Sequence, residues 1–147
     1  YLHEKLLEDY TNRVTNLATD LTGAKRRRAG LEAYWEHLTG DLFIAYHELC
    51  VAGRTDTDLH DILDQSITSF EDHVNETNTD LFSEWHDRGE RYMLAMDLTK
   101  FLMEGMAVGQ IGKDKEKRIS RLLDYLTDRL EEIFEEEGSS AIGRHSS

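Results

Sequence analysis

Apolar residues recur at Leu2, Leu6, Tyr10, Val14, Leu17 and Leu21, three or four positions apart. That is the period of one face of an α-helix, and it predicts an amphipathic helix from the first residues to about Leu21. Thr22-Gly23 follows, with glycine in the stop role. Leu31, Tyr34, Trp35 and Leu38 predict a second helix, entered through the basic run Lys25-Arg26-Arg27-Arg28 and broken at Thr39-Gly40. Asp41 is placed to cap a third helix. Leu42, Ala45, Leu49 and Ala52 line one of its sides, Phe43, Tyr46 and Cys50 a neighbouring one, and Gly53 stops it. Thr55 and Asp58 have the spacing of a variant capping box, with Asp in place of Glu or Gln.

A long fourth helix follows from Leu59, Ile62, Leu63, Ile67, Phe70, Val74, Leu81 and Trp85. Its stretch Asn75-Glu76-Thr77-Asn78-Thr79-Asp80 is so polar that a kink or fraying is expected there. Asp87 and Glu90 are a further cap pair and open the helix Glu90–Gln110. This helix is apolar almost all round, which predicts burial on more than one side. It is near the length of a membrane span, but Asp97, Lys100 and Glu104 in its middle would be costly in lipid. Gly109 and Gly112 end it. The last helix runs from about Lys115 to Glu136, with Ile119, Leu122, Leu123, Leu126, Leu130, Ile133 and Phe134 in a stripe that mostly follows coiled-coil spacing. The Gly/Ser-rich tail 138–147 is expected to be disordered. Strand-like alternation and internal repeats are missing from the sequence. The reading is an all-α bundle of five to six helices in one domain, 1–137.

Composition narrows the function classes. The 147 residues contain no proline, which suits uninterrupted helices. A formal net charge of −13 opposes binding to nucleic acid or to an anionic membrane. One cysteine, Cys50, cannot form an intrachain disulfide and suits a reducing, cytoplasmic setting; it reads as a core thiol. No signal peptide is visible. The chain opens without Met and already in helical pattern, so a segment is expected to precede it.

Catalytic and metal constellations find no positive support. His47-Glu48 begins a zinc-protease helix motif, but Val51 stands where the second histidine belongs. The paired Glu-x-x-His motifs of di-iron bundles are missing too. No catalytic residue, metal ligand or cofactor is assigned. Tyr10, Tyr34, Trp35, Phe43, Tyr46, Phe70 and Trp85 are spread over the first four helices. Such rings can line a cavity between helices, although filling the core is the commoner use of them. Gly105 and Gly109 form a Gly-x-x-x-Gly with Ala107 between. Small residues allow close helix approach, and with the Leu-rich last helix beside them they suggest a twofold interface of four helices.

The segment Glu48-Leu49-Cys50-Val51-Ala52-Gly53-Arg54-Thr55-Asp56-Thr57-Asp58-Leu59 resembles a signature found in a subset of TetR (tetracycline-repressor-like) transcriptional regulators. There the third helix of the sensor domain ends in a Glu-Leu-x-x-Ala-(Ala/Gly)-Arg-Thr-Asp run followed by an acidic residue and Leu. Thr57 stands where those proteins usually have Pro. The resemblance extends over roughly Leu2 to Glu136. It implies a C-terminal ligand-binding and dimerisation domain, with 1–21 as the helix connecting it to a DNA-binding head that this sequence does not contain. Operator DNA would then be reached only through that head. The resemblance further implies a homodimer and a small hydrophobic effector whose binding shifts the connecting helix and releases DNA. Mapped onto this chain, the cavity would be lined by Tyr10, Tyr34, Trp35, Leu38, Phe43, Tyr46, Leu49, Phe70, Met93, Met96 and Asp97. The dimer would form through the last two helices at Met103, Gly105, Met106, Ala107, Gly109, Ile119, Leu122, Leu126 and Leu130. Arg54, Asp56 and Asp58 would be structural. The alternative is a helical interaction and dimerisation module with a solid core and no ligand.

Overall fold

A computed structural model describes residues 2–17, 20–85, 87 and 89–145, with side chains through Glu135. The described residues are all-helical: α1 (Leu2–Thr15), α2 (Gly23–Leu38), α3 (Asp41–Gly53), α4 (Thr57–Leu81), a 3-10 turn at Ser83–Trp85, α5 (Glu90–Val108) and α6 (Lys115–His145). The chain divides into two compact units, Tyr1–Ser83 and Glu84–Ser147.

In the first unit α1 buries Leu6, Tyr10 and Val14, the face its periodicity indicates. Each such side chain contributes about 1.5–3 kcal/mol when fully buried. The helix stops at Thr15, earlier than the apolar period suggests. The Thr15 hydroxyl turns back to the Thr11 carbonyl at 2.7 Å, and Asn16 follows. Both residue types compete with helix by bonding their own backbone. Leu17 still packs on the core around Tyr10, Val14 and Ala33, although it has left the helix.

Gly23 does not end α1; it begins α2, with φ +56°, a left-handed conformation that suits glycine. Gly30, inside α2, faces the Phe82 ring so closely that a Cβ there would lie 2.8 Å from Phe82 Cζ. Arg26 covers the same ring at 5.4 Å.

Two expected caps fall elsewhere. Gly40, not Asp41, is the N-cap of α3, and Asp41 lies in its first turn. At α4 the cap is Asp56, whose Oδ1 accepts from Leu59 N–H at 3.1 Å. Thr55 instead donates to Ala52 at the close of α3. The fourth helix then runs unbroken through the polar stretch expected to kink. Asn78 is buried there, and Thr79 bonds back to Asn75. The helix ends at Leu81, with Phe82 as its C-cap, before Trp85.

In the second unit Gly89 (φ +51°) precedes α5 without a side-chain cap, so Asp87 does not serve in that role. The buried face of α5 consists of Ala95, Thr99, Met103 and Met106. Thr99 satisfies its hydroxyl on the Ala95 carbonyl at 2.7 Å. Ile119, Leu126 and Ile133, seven residues apart, are the buried seam of α6, which packs on α5. Trp85 meets Phe134 edge-on at 5.0 Å and Tyr92 at 6.1 Å, and Arg91 reaches the Ile133 carbonyl. The last helix continues to His145, past the end expected near Glu136. Among the described residues no helix is long and apolar enough to cross a membrane.

Candidate functional site

The aromatic residues of the first four helices converge on a histidine. The His37 ring is 1% exposed. Tyr34 and Phe70 stack on it at 6.2 Å each, with interplanar angles of 19° and 12°. Tyr10 meets it edge-on at 5.5 Å and Phe43 tilts against it at 6.0 Å. Tyr10 also contacts Tyr34 and Phe70 edge-on, and Tyr46 and His47 flank Phe43. One ring from each of α1, α2, α3 and α4 therefore touches the imidazole.

The imidazole also has a polar side. His37 Nδ1 is 2.8 Å from Asp9 Oδ2. With Asp9 ionised, Nδ1 carries the hydrogen and donates it. Arg13 lies one turn along α1, with its Nε 3.2 and 3.0 Å from the two oxygens of the same carboxylate, and its Nη1 reaches Glu36 of α2 at 3.3 Å. Burial pushes the Asp9 carboxyl up. The hydrogen bonds from His37 and Arg13, with the Arg13 charge, outweigh it and leave the group below its ordinary value. Burial pushes His37 down, Arg13 pushes the same way, and together they outweigh the opposing pull of Asp9.

Beside this cluster, the Tyr10 hydroxyl donates to Asn78 Oδ1 at 2.5 Å, joining α1 to α4 in the interior. Nearby His3, half-buried on α1, meets Phe70 edge-on, and its buried Nδ1 has no hydrogen-bond partner among the described residues.

Tyr10, Tyr34, Phe43 and Phe70 are thus brought together, with Tyr46 at the edge. Leu38 is buried and Trp35 half-buried on the same helix as His37, while Leu49 is exposed. Met93, Met96 and Asp97 belong to the second unit, where Met93 and Asp97 are exposed. A separate cavity of about 50 Å³ opens between α3 and α4, lined by Cys50, Gly53, His60, Leu63, Asp64 and Ile67, none of them among the expected lining residues. It is well below the several hundred Å³ of a typical small-molecule site. Among the described residues no group of three or more His, Cys, Asp and Glu side chains is placed to hold a metal.

The expected interface residues divide between two surroundings. Met103, Met106, Ile119 and Leu126 are buried within the chain's own α5–α6 unit, while Ala107 and Leu130 are half-buried. Gly105, Gly109 and Leu122 are exposed. A second set had no separate signal in the sequence. Leu94, Phe101 and Val108, seven residues apart, are 57%, 65% and 41% exposed. At about 100° per residue they lie on the side of α5 opposite Ala95, Thr99, Met103 and Met106. Gly105 lies within this stripe and has open space where a Cβ would be. Tyr125 and Leu122 of α6 are exposed as well.

His37 itself was missed as a hub. The signal for it was its position on the apolar face of α2, between Tyr34 and Leu38. Asp9 and Arg13 were missed as well: they lie one turn apart on α1, and the approach of Asp9 to a residue 28 positions away has no local signal. No protein-family model, curated protein or solved structure matches the chain.

Proposed function

We propose that this chain is the effector-sensing and dimer-forming domain of a TetR-type regulator, a repressor released from DNA by a small hydrophobic molecule. The Glu48–Leu59 signature supports the family. The observation that carries the dimer is the two-sided α5. One face is closed on α6, and the opposite face presents Leu94, Phe101 and Val108 to solvent, where only burial against another surface would recover their hydrophobic free energy. A second copy offers the same stripe, which a twofold axis can pair with itself. Operator DNA is contacted through a head outside this sequence. Sedimentation at micromolar concentration tests the dimer: twice the 17.0 kDa chain mass is expected, and a monomer rejects it.

The second reading is an interaction module with a solid core and no ligand. The ring-on-ring packing around His37 favours it, because an effector entering there would have to displace side chains already in contact. A thermal-melt screen with aromatic and acyl-chain compounds separates the two. Saturable stabilisation that is lost on replacing Phe70 or Tyr46 supports the sensor, and uniform silence across the panel supports the module.

A further inference from the structure

Adjacent residues of α1 make polar links into the interior of its unit, Asp9 to His37 of α2 and Tyr10 to Asn78 of α4, and Arg13 reaches Glu36 of α2 nearer the surface. The first link contains a titratable ring in a nearly sealed position. We propose that Asp9, Arg13 and His37 form a charge-sensitive clamp on α1, closed while the imidazole is neutral and loosened when it takes up a proton.

The charge balance around the ring is the argument. From α1, His37 faces Asp9 and Arg13; Asp9 already has its opposite charge in Arg13, which contacts both carboxylate oxygens. From its own helix it has Tyr34, with Glu36 reached only through Arg13 and largely in solvent. From α3 it faces Phe43, with His47 stacked beyond. From α4 it faces the Phe70 ring, with His3 of α1 against the same ring. A proton on His37 would thus add a positive charge beside a carboxylate already neutralised, in a pocket of rings with no second anion facing it among the described residues. The two stacked ring faces attract a cation, but weakly compared with the loss of hydration.

The direction follows. The folded protein holds His37 below its ordinary value of 6.5, so its contribution is complete above that pH and declines as pH falls through the lowered one. Asp9 also titrates below its ordinary 3.8, so it remains an anion while His37 changes charge. Relief comes from withdrawing α1, which carries both Asp9 and Arg13; the Tyr10–Asn78 bond, the Arg13–Glu36 pair and the packing of Leu6, Tyr10 and Val14 loosen with it.

Amide hydrogen exchange on the full chain between pH 7.5 and 5 tests this, with rates corrected for intrinsic exchange. Protection of α1 is expected to fall by more than about threefold from pH 7 to pH 5 while α3 and α4 change by less than about twofold. In His37→Asn, whose amide nitrogen takes the place of Nδ1 toward Asp9 but does not titrate, the α1 profile should be flat. The same fall in His37→Asn, no fall in the wild type, or an equal fall across α1–α4 overturns the proposal. Should the variant not fold, the wild-type His37 Hε1 resonance serves instead. Its titration midpoint must coincide with the loss of α1 protection, and a ring that titrates with α1 undisturbed overturns the clamp.

Discussion

The Tyr10 hydroxyl and Asn78 Oδ1, 68 residues apart in sequence, meet at 2.5 Å inside the first unit. Tyr10 is 4% exposed and Asn78 7%. A buried acceptor deprived of its donor keeps the cost of its lost hydration, about 1–3 kcal/mol, whereas removing both partners together is nearly neutral. Tyr10→Phe should therefore lower urea stability by about that amount, with the ring contacts to His37, Tyr34 and Phe70 retained. Adding Asn78→Leu should recover part of the loss. If the two single substitutions simply add, the bond contributes nothing specific.

Glycine at position 30 is a matter of space. A methyl at that Cα would sit 2.8 Å from Phe82 Cζ, so the ring must move. Overpacking of this kind costs about 1–3 kcal/mol, set against about 1 kcal/mol gained in helix propensity. Gly30→Ala should be net destabilising, whereas Gly30→Ala with Phe82→Leu should regain stability relative to the single variant. Urea midpoints decide it, and a Gly30→Ala protein more stable than wild type would mean that Phe82 yields freely.

The helices were legible in the sequence because their apolar faces repeat at the helical period, and the order of α2 through α6 follows from that alone. The end of α1 was not, since Leu17 and Leu21 keep the period after the backbone has turned away. Periodicity reports which residues face the core, not whether the backbone reaching it is helical. The stretch 75–80 misled for a related reason. Asparagine and threonine are weak helix formers, and what secures Asn78 in α4 is a hydroxyl on α1 that no local pattern can show. That α5 would bury more than one side was legible, but which residues share a face was not. Only the packing of α6 separates Met103, 0% exposed, from Phe101, 65% exposed. At the His37 cluster the rings were visible as types, and their convergence was not.

The entry to α4 depends on Asp56, whose side chain accepts from Leu59 N–H. Removing an N-cap acceptor costs typically about 1 kcal/mol. Asp56→Ala should cost that much in urea, and Asp56→Asn or Asp56→Ser should restore most of it. Asp58→Ala, within the first turn and outside the cap, should cost less. An Asp58→Ala penalty equal to that of Asp56→Ala would assign the effect to helix-dipole charge instead.

Phe101 and Met103 are two residues apart on α5 and report on different things. Met103 is fully buried, so Met103→Glu places a charge in the α5–α6 packing and should unfold the second unit whatever the oligomeric state. Met106→Glu, at 6% exposure, is compromised in the same way. Phe101 contributes nothing comparable to that packing, so Phe101→Glu should leave helicity and melting of the monomer close to wild type. If the exposed stripe is the dimer interface, two opposed glutamates and the loss of two rings at its centre should weaken association by at least about a hundredfold, or roughly 3 kcal/mol. Sedimentation equilibrium across a concentration series reads this directly. An unchanged dimer in Phe101→Glu places the interface away from the Leu94–Phe101–Val108 stripe, and the exposed Leu122 and Tyr125 of α6 become the next positions to substitute.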